Sequence, residues 1–273
     1  MKIFGRLLLL QLIISLSLTA QDTLPGQQNE IFWKLSGDHT IVWDLTNETR
    51  LPHSDNIEMD GKRVAAIITY QVDADRKLSI KREIIYPQLR IYIESSANHW
   101  RYYRAYLKDI YTDGFLPAIT LENRTFEPGP LDSVRIDGML HFYHGNRQGL
   151  SIERTLLPSM NFRLFAEIWN MTNTTDSAKI LSIGKTEFIR EQEGQNGHFT
   201  RKVYTDVNGG VTILPGQTFT FAVYFTAQLN DESSEEPLLP EMVVDERKDF
   251  LDIMRNNLIL ETPDPVLNRL FEF

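Results

Sequence analysis

Residues 150–175 read L-S-I-E-R-T-L-L-P-S-M-N-F-R-L-F-A-E-I-W-N-M-T-N-T-T. Leu150 and Ile152 alternate with polar neighbours, and Leu164, Ala166 and Ile168 alternate again, with Phe165 and Trp169 on the opposite face. A period of two belongs to pleated strands, because successive side chains point to opposite sides of the sheet. Pro158, Ser159 and Asn161 lie between the two runs. Proline fixes φ and donates nothing to a ladder, while asparagine tolerates bends, so the stretch reads as two strands and a turn. The second strand is bulky on both faces, which predicts a sheet covered on both sides.

Working outward, Trp33 to Trp43 begins the strands. Asp44 to Lys62 reads as a long, turn-rich loop with little periodicity. Val64 to Val72 and Leu78 to Ile85 form a strand pair around Asp73 to Lys77, with a third strand at Arg90 to Ile93. Trp100, Tyr103, Leu107 and Ile110 then recur at helical spacing behind Asn98, a possible N-cap, and predict a short helix. Strands resume at Ala118 to Leu121, Ser133 to Ile136 and Met139 to Tyr143, with Asp137-Gly138 as a two-residue hairpin turn. They continue at Lys179 to Ile183, Glu187 to Arg190, Thr200 to Tyr204, Val211 to Ile213 and Thr218 to Leu229. After the acidic run N-D-E-S-S-E-E-P, the spacing of Val243, Arg247, Phe250 and Met254 predicts a helix over Pro240 to Asn256.

The 273 residues, 42% of them hydrophobic, suit one large β domain or two average ones. At the N-terminus Lys2 and Arg6 precede an apolar run from Leu7 to Leu18 and the small pair Thr19-Ala20. This is the pattern of a secretory signal peptide cleaved near Ala20, and it places the mature protein outside the cytoplasm, in the periplasm or the medium. Its removal would take the formal net charge from −9 to −11, a poor match to nucleic acid. No cysteine is present, so neither a disulfide scaffold nor a lipidated cysteine is available. Asn47, Asn123, Asn170 and Asn173 begin Asn-x-Ser/Thr triplets, but two of them fall in the strand and turn of the opening stretch. There they read as turn chemistry or chance, since packing would exclude a glycan.

No G-x-S-x-G elbow, Walker loop, G-x-G-x-x-G, H-E-x-x-H or EF-hand loop occurs, and no cofactor or metal site is expected. His141 and His144 are three apart on a strand and turn, which sends their side chains to opposite faces rather than to one metal. Pairs such as Glu58 with Asp60, Glu122 with Glu127 and Glu191 with Glu193 read as solvated loop charges. Trp100, Tyr102, Arg104 and Tyr106 crowd one short segment. Aromatic rings stack on the apolar faces of sugars and arginine donates to hydroxyls, so these residues are candidate sugar contacts; packing between sheet and neighbour is the alternative. His53 and Asp55, in H-S-D, are further candidates for a polar ligand, with an Asx or Ser turn as the alternative.

Three segments carry a resemblance: D-L-T-N-E-T-R-L-P-H-S-D-N-I-E-M (44–59), R-T-L-L-P-S with E-I-W-N-M-T-N-T-T-D (154–159, 167–176), and M-R-N-N-L-I-L-E-T-P-D-P-V-L-N (254–268). Together they resemble the N-terminal β-supersandwich domain of secreted bacterial six-hairpin glycosidases. The resemblance implies a mainly β fold, a two-layer antiparallel supersandwich of the galactose mutarotase type with a C-terminal linker helix. The residues themselves give a signal peptide over 1–20 and, in the polar run with Pro25-Gly26, a flexible leader over 21–30; the resemblance, from Ile31 onward, implies the β domain over 31–230 and an acidic loop with linker helix over 231–261. Residues 262–273, where Asp264-Pro265 opens an apolar face of Val266, Leu267, Leu270 and Phe271, are expected to be the first helix of an (α/α)6 catalytic barrel. Catalytic carboxylates of such enzymes lie on barrel loops, so no catalytic residue is carried over. The expected partners are a carbohydrate and that barrel, with no membrane span. Two other readings stand beside it. One is a stand-alone carbohydrate-binding module; the other is a mutarotase-like sugar epimerase, for which His141 and Glu153 are the available acid-base pair.

Overall fold

In the computed structural model, residues 32–37, 39–91, 106–194, 196–230, 232, 239–257, 261–264 and 267–268 are described. Residues from Trp33 onward form one compact unit, and the fold below is that of this unit.

The opening stretch gives β11 (Leu150–Pro158) and β12 (Leu164–Asn173), paired antiparallel from Leu150 opposite Asn173 to Pro158 opposite Phe165. Ser159 closes the turn as expected of a short hydroxyl: its Oγ accepts the backbone N–H of Asn161 at 3.3 Å and of Phe162 at 3.2 Å. Around this pair a nine-stranded sheet assembles in the order β1 (Lys34–Leu35), β2 (Ile41–Asp44), β9 (Leu131–Ile136), β10 (Leu140–Arg147), β11, β12, β17 (Thr218–Leu229), β15 (Gly197–Thr205) and β14 (Glu187–Gly194). A four-stranded sheet holds β3 (His53–Asp60), β4 (Ala65–Val72), β5 (Leu78–Arg90) and β6 (Tyr106–Tyr111). Another comprises β16 (Gly209–Ile213), β13 (Lys179–Ile183), β7 (Ile119–Leu121) and β8 (Arg124–Thr125). Every pairing is antiparallel, the mainly β sandwich that the alternating pattern predicts.

The large sheet is covered on both faces. Its inner face meets the β3–β6 sheet: the Tyr70 ring stands edge-on to Phe142 with centroids 5.4 Å apart, and Tyr111 lies 5.0 Å from Phe225. The Phe142 and Phe225 rings, fully buried, each contribute about 1.5–3 kcal/mol over leaving them in water. On the outer face Leu157, Leu164, Ala166, Ile168, Ala222 and Tyr224 form a cluster closed by Val243 of α1 (Pro240–Asn257). Pro240 suits the first helical position, where its missing N–H costs nothing. Arg247, on the same side of the helix as Val243, is buried and donates to the carbonyls of Asp60 at 2.7 Å and Gly138 at 3.1 Å. That double grip fastens α1 to two separate turns.

Four local expectations are corrected. The 44–62 stretch is a loop only in its first part, since His53–Asp60 is an eight-residue strand. His53, Asp55, Ile57 and Met59 are its more buried side, while exposed Ser54, Asn56, Glu58 and Asp60 hide the alternation. Charges along an edge strand discourage pairing with other chains, which explains so polar a strand. The separate strand at Arg90 is the end of β5, which runs past Pro87 through a register shift between Tyr86 and Arg90, where a missing N–H is tolerated. The predicted helix fails in its described part: Leu107 and Ile110 lie on β6, opposite Tyr86 and Glu83, so their three-residue offset is coincidence. Trp100 and Tyr103 lie outside the described residues. Finally, the Asp137-Gly138 hairpin has a three-residue connection. Ile136 pairs with Leu140 rather than Met139, Gly138 takes φ +95°, and Met139 turns into the outer cluster.

Candidate functional site

The one-residue difference in that hairpin decides which side chains meet. With Ile136 opposite Leu140, His141 falls opposite Arg135 on β9 and opposite Thr155 on β11, while Tyr143 falls opposite Glu153. All five side chains belong to the outer face of the large sheet, because same-parity positions on paired strands share a face. Asp137, in the turn, folds back over them.

His141 is the centre. Its Nδ1 lies 3.0 Å from Glu153 Oε1 and 3.0 Å from Thr155 Oγ1, and its Nε2 lies 3.0 Å from Asp137 Oδ1. An imidazole with a carboxylate at each nitrogen donates from both, which is the imidazolium form. Burial alone would pull its pKa down, but the hydrogen bonds to Asp137 and Glu153 outweigh it and hold the pKa above the ordinary value. Glu153 is held low chiefly by the His141 hydrogen bond. At Asp137 burial pushes upward, and the His141 contact and the Arg135 charge reverse it. Burial, with the Glu153 charge beside it, raises the Tyr143 phenol. The Arg135 guanidinium stands 5.4 Å above the Tyr143 ring and 3.4 Å from Asp137 Oδ2.

Access is graded. The His141 side chain is 5% exposed, whereas Asp137, Glu153 and Arg135 are 22%, 28% and 34% exposed. A ligand would meet the carboxylates, the guanidinium and the phenol, with the imidazolium beneath them. Two carboxylates stand beside a guanidinium and an imidazole, with Arg135 Nη2 also 3.4 Å from His141 Nε2, so the patch offers donors and acceptors side by side. Beside it, a cleft of about 460 Å³ runs between α1 and the hairpin, lined by His39, Thr40, Asp137, Lys248, Asp252 and Arg255 among others.

The inner face carries a second ion cluster, whose central carboxylate and two guanidinium groups are buried while Asp113 at its margin reaches solvent. Glu167 accepts Arg82 Nε at 2.7 Å, Arg154 Nε at 2.9 Å and Nη2 at 2.6 Å, and Trp169 Nε1 at 3.1 Å. Asp113 adds a contact to Arg82 Nη2 at 3.0 Å. His144 belongs to this face: its Nδ1 donates to the Gly129 carbonyl at 2.9 Å, its Nε2 is buried without a partner, and burial with the Arg154 charge pulls its pKa down to about 3. The H-x-x-H pair is thus split across the sheet. Among the described residues no group of three or more His, Cys, Asp or Glu is arranged to hold a metal ion, and no helix is long and apolar enough to cross a membrane.

Of the residues nominated as sugar contacts, those that are described, Tyr106 and the pair His53 and Asp55, lie apart. Trp100, Tyr102 and Arg104 lie outside the described residues. Tyr106 is on β6 with the Arg90 guanidinium 4.6 Å from its ring centre, whereas His53 and Asp55 are on β3, the opposite edge of the same sheet. Two strands separate them, roughly 14 Å at the usual strand spacing. His53 packs its ring 4.8 Å from Trp43, and Asp55 Oδ1 accepts the Asn56 N–H at 2.8 Å, the short-range bond expected of an Asx residue. His141 with Glu153 is brought together as nominated. Asp137 and Arg135 were missed, and the signal that could have found them is the hairpin register.

No family model matches this chain, and no curated protein matches it. Among solved structures it is similar to one described as "Putative kojibiose phosphorylase from human microbiome", at 11% sequence identity and a TM-score of 0.40, over 88% of this chain and 38% of that one. The chain therefore spans well under half the length of that protein. Function has to be argued from the site itself.

Proposed function

We propose that the chain is a non-catalytic β-sandwich domain of an exported carbohydrate-processing enzyme, and that it contacts sugar through the Asp137–His141–Glu153–Arg135 cluster. The observation that carries this reading is the pairing of acceptors and donors in a partly exposed cluster. Hydroxyl groups donate and accept at once, so a neutral polyhydroxylated ligand is served by carboxylates and a guanidinium side by side, whereas an ion of either sign gains little. Tyr143 supplies an aromatic surface next to them. The sequence resemblance to supersandwich domains of six-hairpin glycosidases supports the larger context, in which an (α/α)6 barrel of the same parent protein supplies the catalytic carboxylates. The exposed Met242 and Ile253, about three turns apart on one side of α1, offer apolar surface of the kind a neighbouring domain covers.

The epimerase reading draws less support. It needs two histidines converging with a carboxylate, and His144 points through the sheet instead. His141 is covered and engaged at both nitrogens, which suits holding two carboxylates in place better than shuttling a proton.

Ligand-observed NMR and calorimetry with a panel of mono- and disaccharides test the proposal. Binding to at least one sugar, weakened about tenfold or more by Glu153→Gln through loss of a charged hydrogen bond, is the expected result. Absence of binding across the panel, or affinity unchanged in both Glu153→Gln and Asp137→Asn, would overturn it.

A further inference from the structure

The acid in the cluster with the least backing from its own sheet is Asp137, which sits in a turn rather than on a strand. A carboxylate at a turn swings with its backbone, so something must fix that turn for Asp137 to stay on His141. The hairpin supplies part of this: Met139 N–H donates to Asp137 Oδ1 at 3.3 Å, and Asp137 N–H to the Met139 carbonyl at 3.2 Å. Both bonds are internal to the turn and cannot hold it against the sheet.

From the sheet, Arg135 Nη2 stands 3.4 Å from Asp137 Oδ2, a contact to the carboxylate rather than to the turn backbone; the backbone contacts come from α1. Arg255 Nη2 donates to the Asp137 carbonyl at 3.1 Å, and Arg247 Nε donates to the Gly138 carbonyl at 3.1 Å. A Cβ on Gly138 would stand 2.5 Å from Leu251 Cδ1, so the helix lies directly on the turn. Arg247 also holds Asp60 and Met160, which makes it a general fastener of the helix. Arg255 has a narrower task. Among the described residues, apart from a 3.8 Å contact with Asp252 on its own helix, its polar partner is the Asp137 carbonyl.

We propose that Arg255 is a positioning residue for the outer-face cluster: by gripping the Asp137 carbonyl it keeps the Asp137 carboxylate on the Nε2 edge of His141. The purpose assigned to this device rests on the sugar-site reading; its geometry does not. A domain that displaced the C-terminal turn of α1 would loosen Asp137 without touching His141 or Glu153. The cluster would thereby report on what α1 is docked to.

Charge alone and positioning predict opposite signs, which makes the proposal testable. The groups facing His141 are Asp137 from the turn, Arg135 from β9, Glu153 from β11 and Tyr143 from its own strand, while Arg255, Lys248 and Asp252 approach the turn from α1. If Arg255 acted only as a nearby positive charge, Arg255→Ala would raise the His141 pKa by removing a like charge. If it positions Asp137, the variant lowers that pKa toward the ordinary histidine range, because an acceptor of the imidazolium is lost.

The measurement is an NMR titration of His141 in the full chain carrying Arg255→Ala, Arg255→Lys or Asp252→Asn. A downward shift in Arg255→Ala, partly restored in Arg255→Lys, which keeps one donor, and no shift in Asp252→Asn are expected. An unchanged or raised midpoint in Arg255→Ala, or an equal fall in Asp252→Asn, overturns the proposal. Because Arg255 lies in the last turn of α1, a His144 on the opposite face that stays neutral across the titration serves as the check that the sheet is intact. Sugar affinity is read separately, with a fall of about tenfold expected in Arg255→Ala. A downward His141 shift in a protein that binds no sugar supports the positioning role and sinks only the sugar reading.

Discussion

The two faces of the nine-stranded sheet carry nearly the same ingredients and use them differently. Inside, Glu167 is surrounded by Arg82, Arg154 and Trp169, and the carboxylate and both guanidinium groups are at most 4% exposed. Outside, Asp137 and Glu153 hold His141 with Arg135 nearby, and all but the imidazole reach solvent. A closed cluster in low dielectric has all its valence taken by partners within the chain and serves to align the two layers. An open one keeps acceptors and donors that something else can use. Solvent access, rather than residue type, separates a structural ion network from a candidate site.

The largest expected effect tests that contrast directly. Glu167→Gln leaves two buried arginines with Asp113 as their remaining counter-charge, and breaking a buried pair in this way costs about 3–5 kcal/mol. Glu153→Gln, at a partly exposed pair, is expected to cost about 1 kcal/mol or less. Urea unfolding of both variants, read as a change in midpoint at constant slope, makes the comparison. Equal losses would mean that the outer cluster is as much a part of the framework as the inner one, and the distinction drawn from exposure would fail.

Which of these features could be read from sequence follows from how far apart the deciding residues lie. The β11–β12 pair announces itself because period two, a proline and a hydroxyl turn occur within one short window. Helix α1 is equally local, with Val243, Arg247, Phe250 and Met254 spaced at helical intervals and Pro240 at its start. Strand β3 is hidden because its outward residues are Ser54, Asn56, Glu58 and Asp60, and such a strand looks like a loop until its edge position is known. Strand β6 is misread because Leu107 and Ile110 can satisfy a helical offset by chance, and only pairing with β5 chooses between the two. The site was half legible. His141 and Glu153 could be nominated as chemistry, but Asp137 and Arg135 join them only through a register that shifts by one residue when the hairpin connection grows from two residues to three.

A smaller effect follows from the two histidines of β10, which sit three positions apart on opposite faces and are held in opposite charge states. His141, with its pKa raised by two carboxylates, binds a proton more readily folded than unfolded. Its contribution to stability is fully present below the unfolded value near 6.5 and is lost as pH rises through the folded value. His144, pulled from 6.5 down to about 3, is neutral in the fold and takes up a proton on unfolding. Its contribution is present above 6.5 and is lost as pH falls from there toward 3. Each histidine exchanges at most one proton, so the slope is at most about 1.4 kcal/mol per pH unit. Unfolding free energies of the parent, His141→Gln and His144→Gln proteins, measured from pH 4.5 to 8.5 as the approximate working range, should separate the two. The difference between parent and His144→Gln shrinks toward acid, and the difference between parent and His141→Gln shrinks toward alkali. Two differences that change in the same direction with pH would mean that both rings see one environment, and the division of this strand into a sealed side and an open side would not hold.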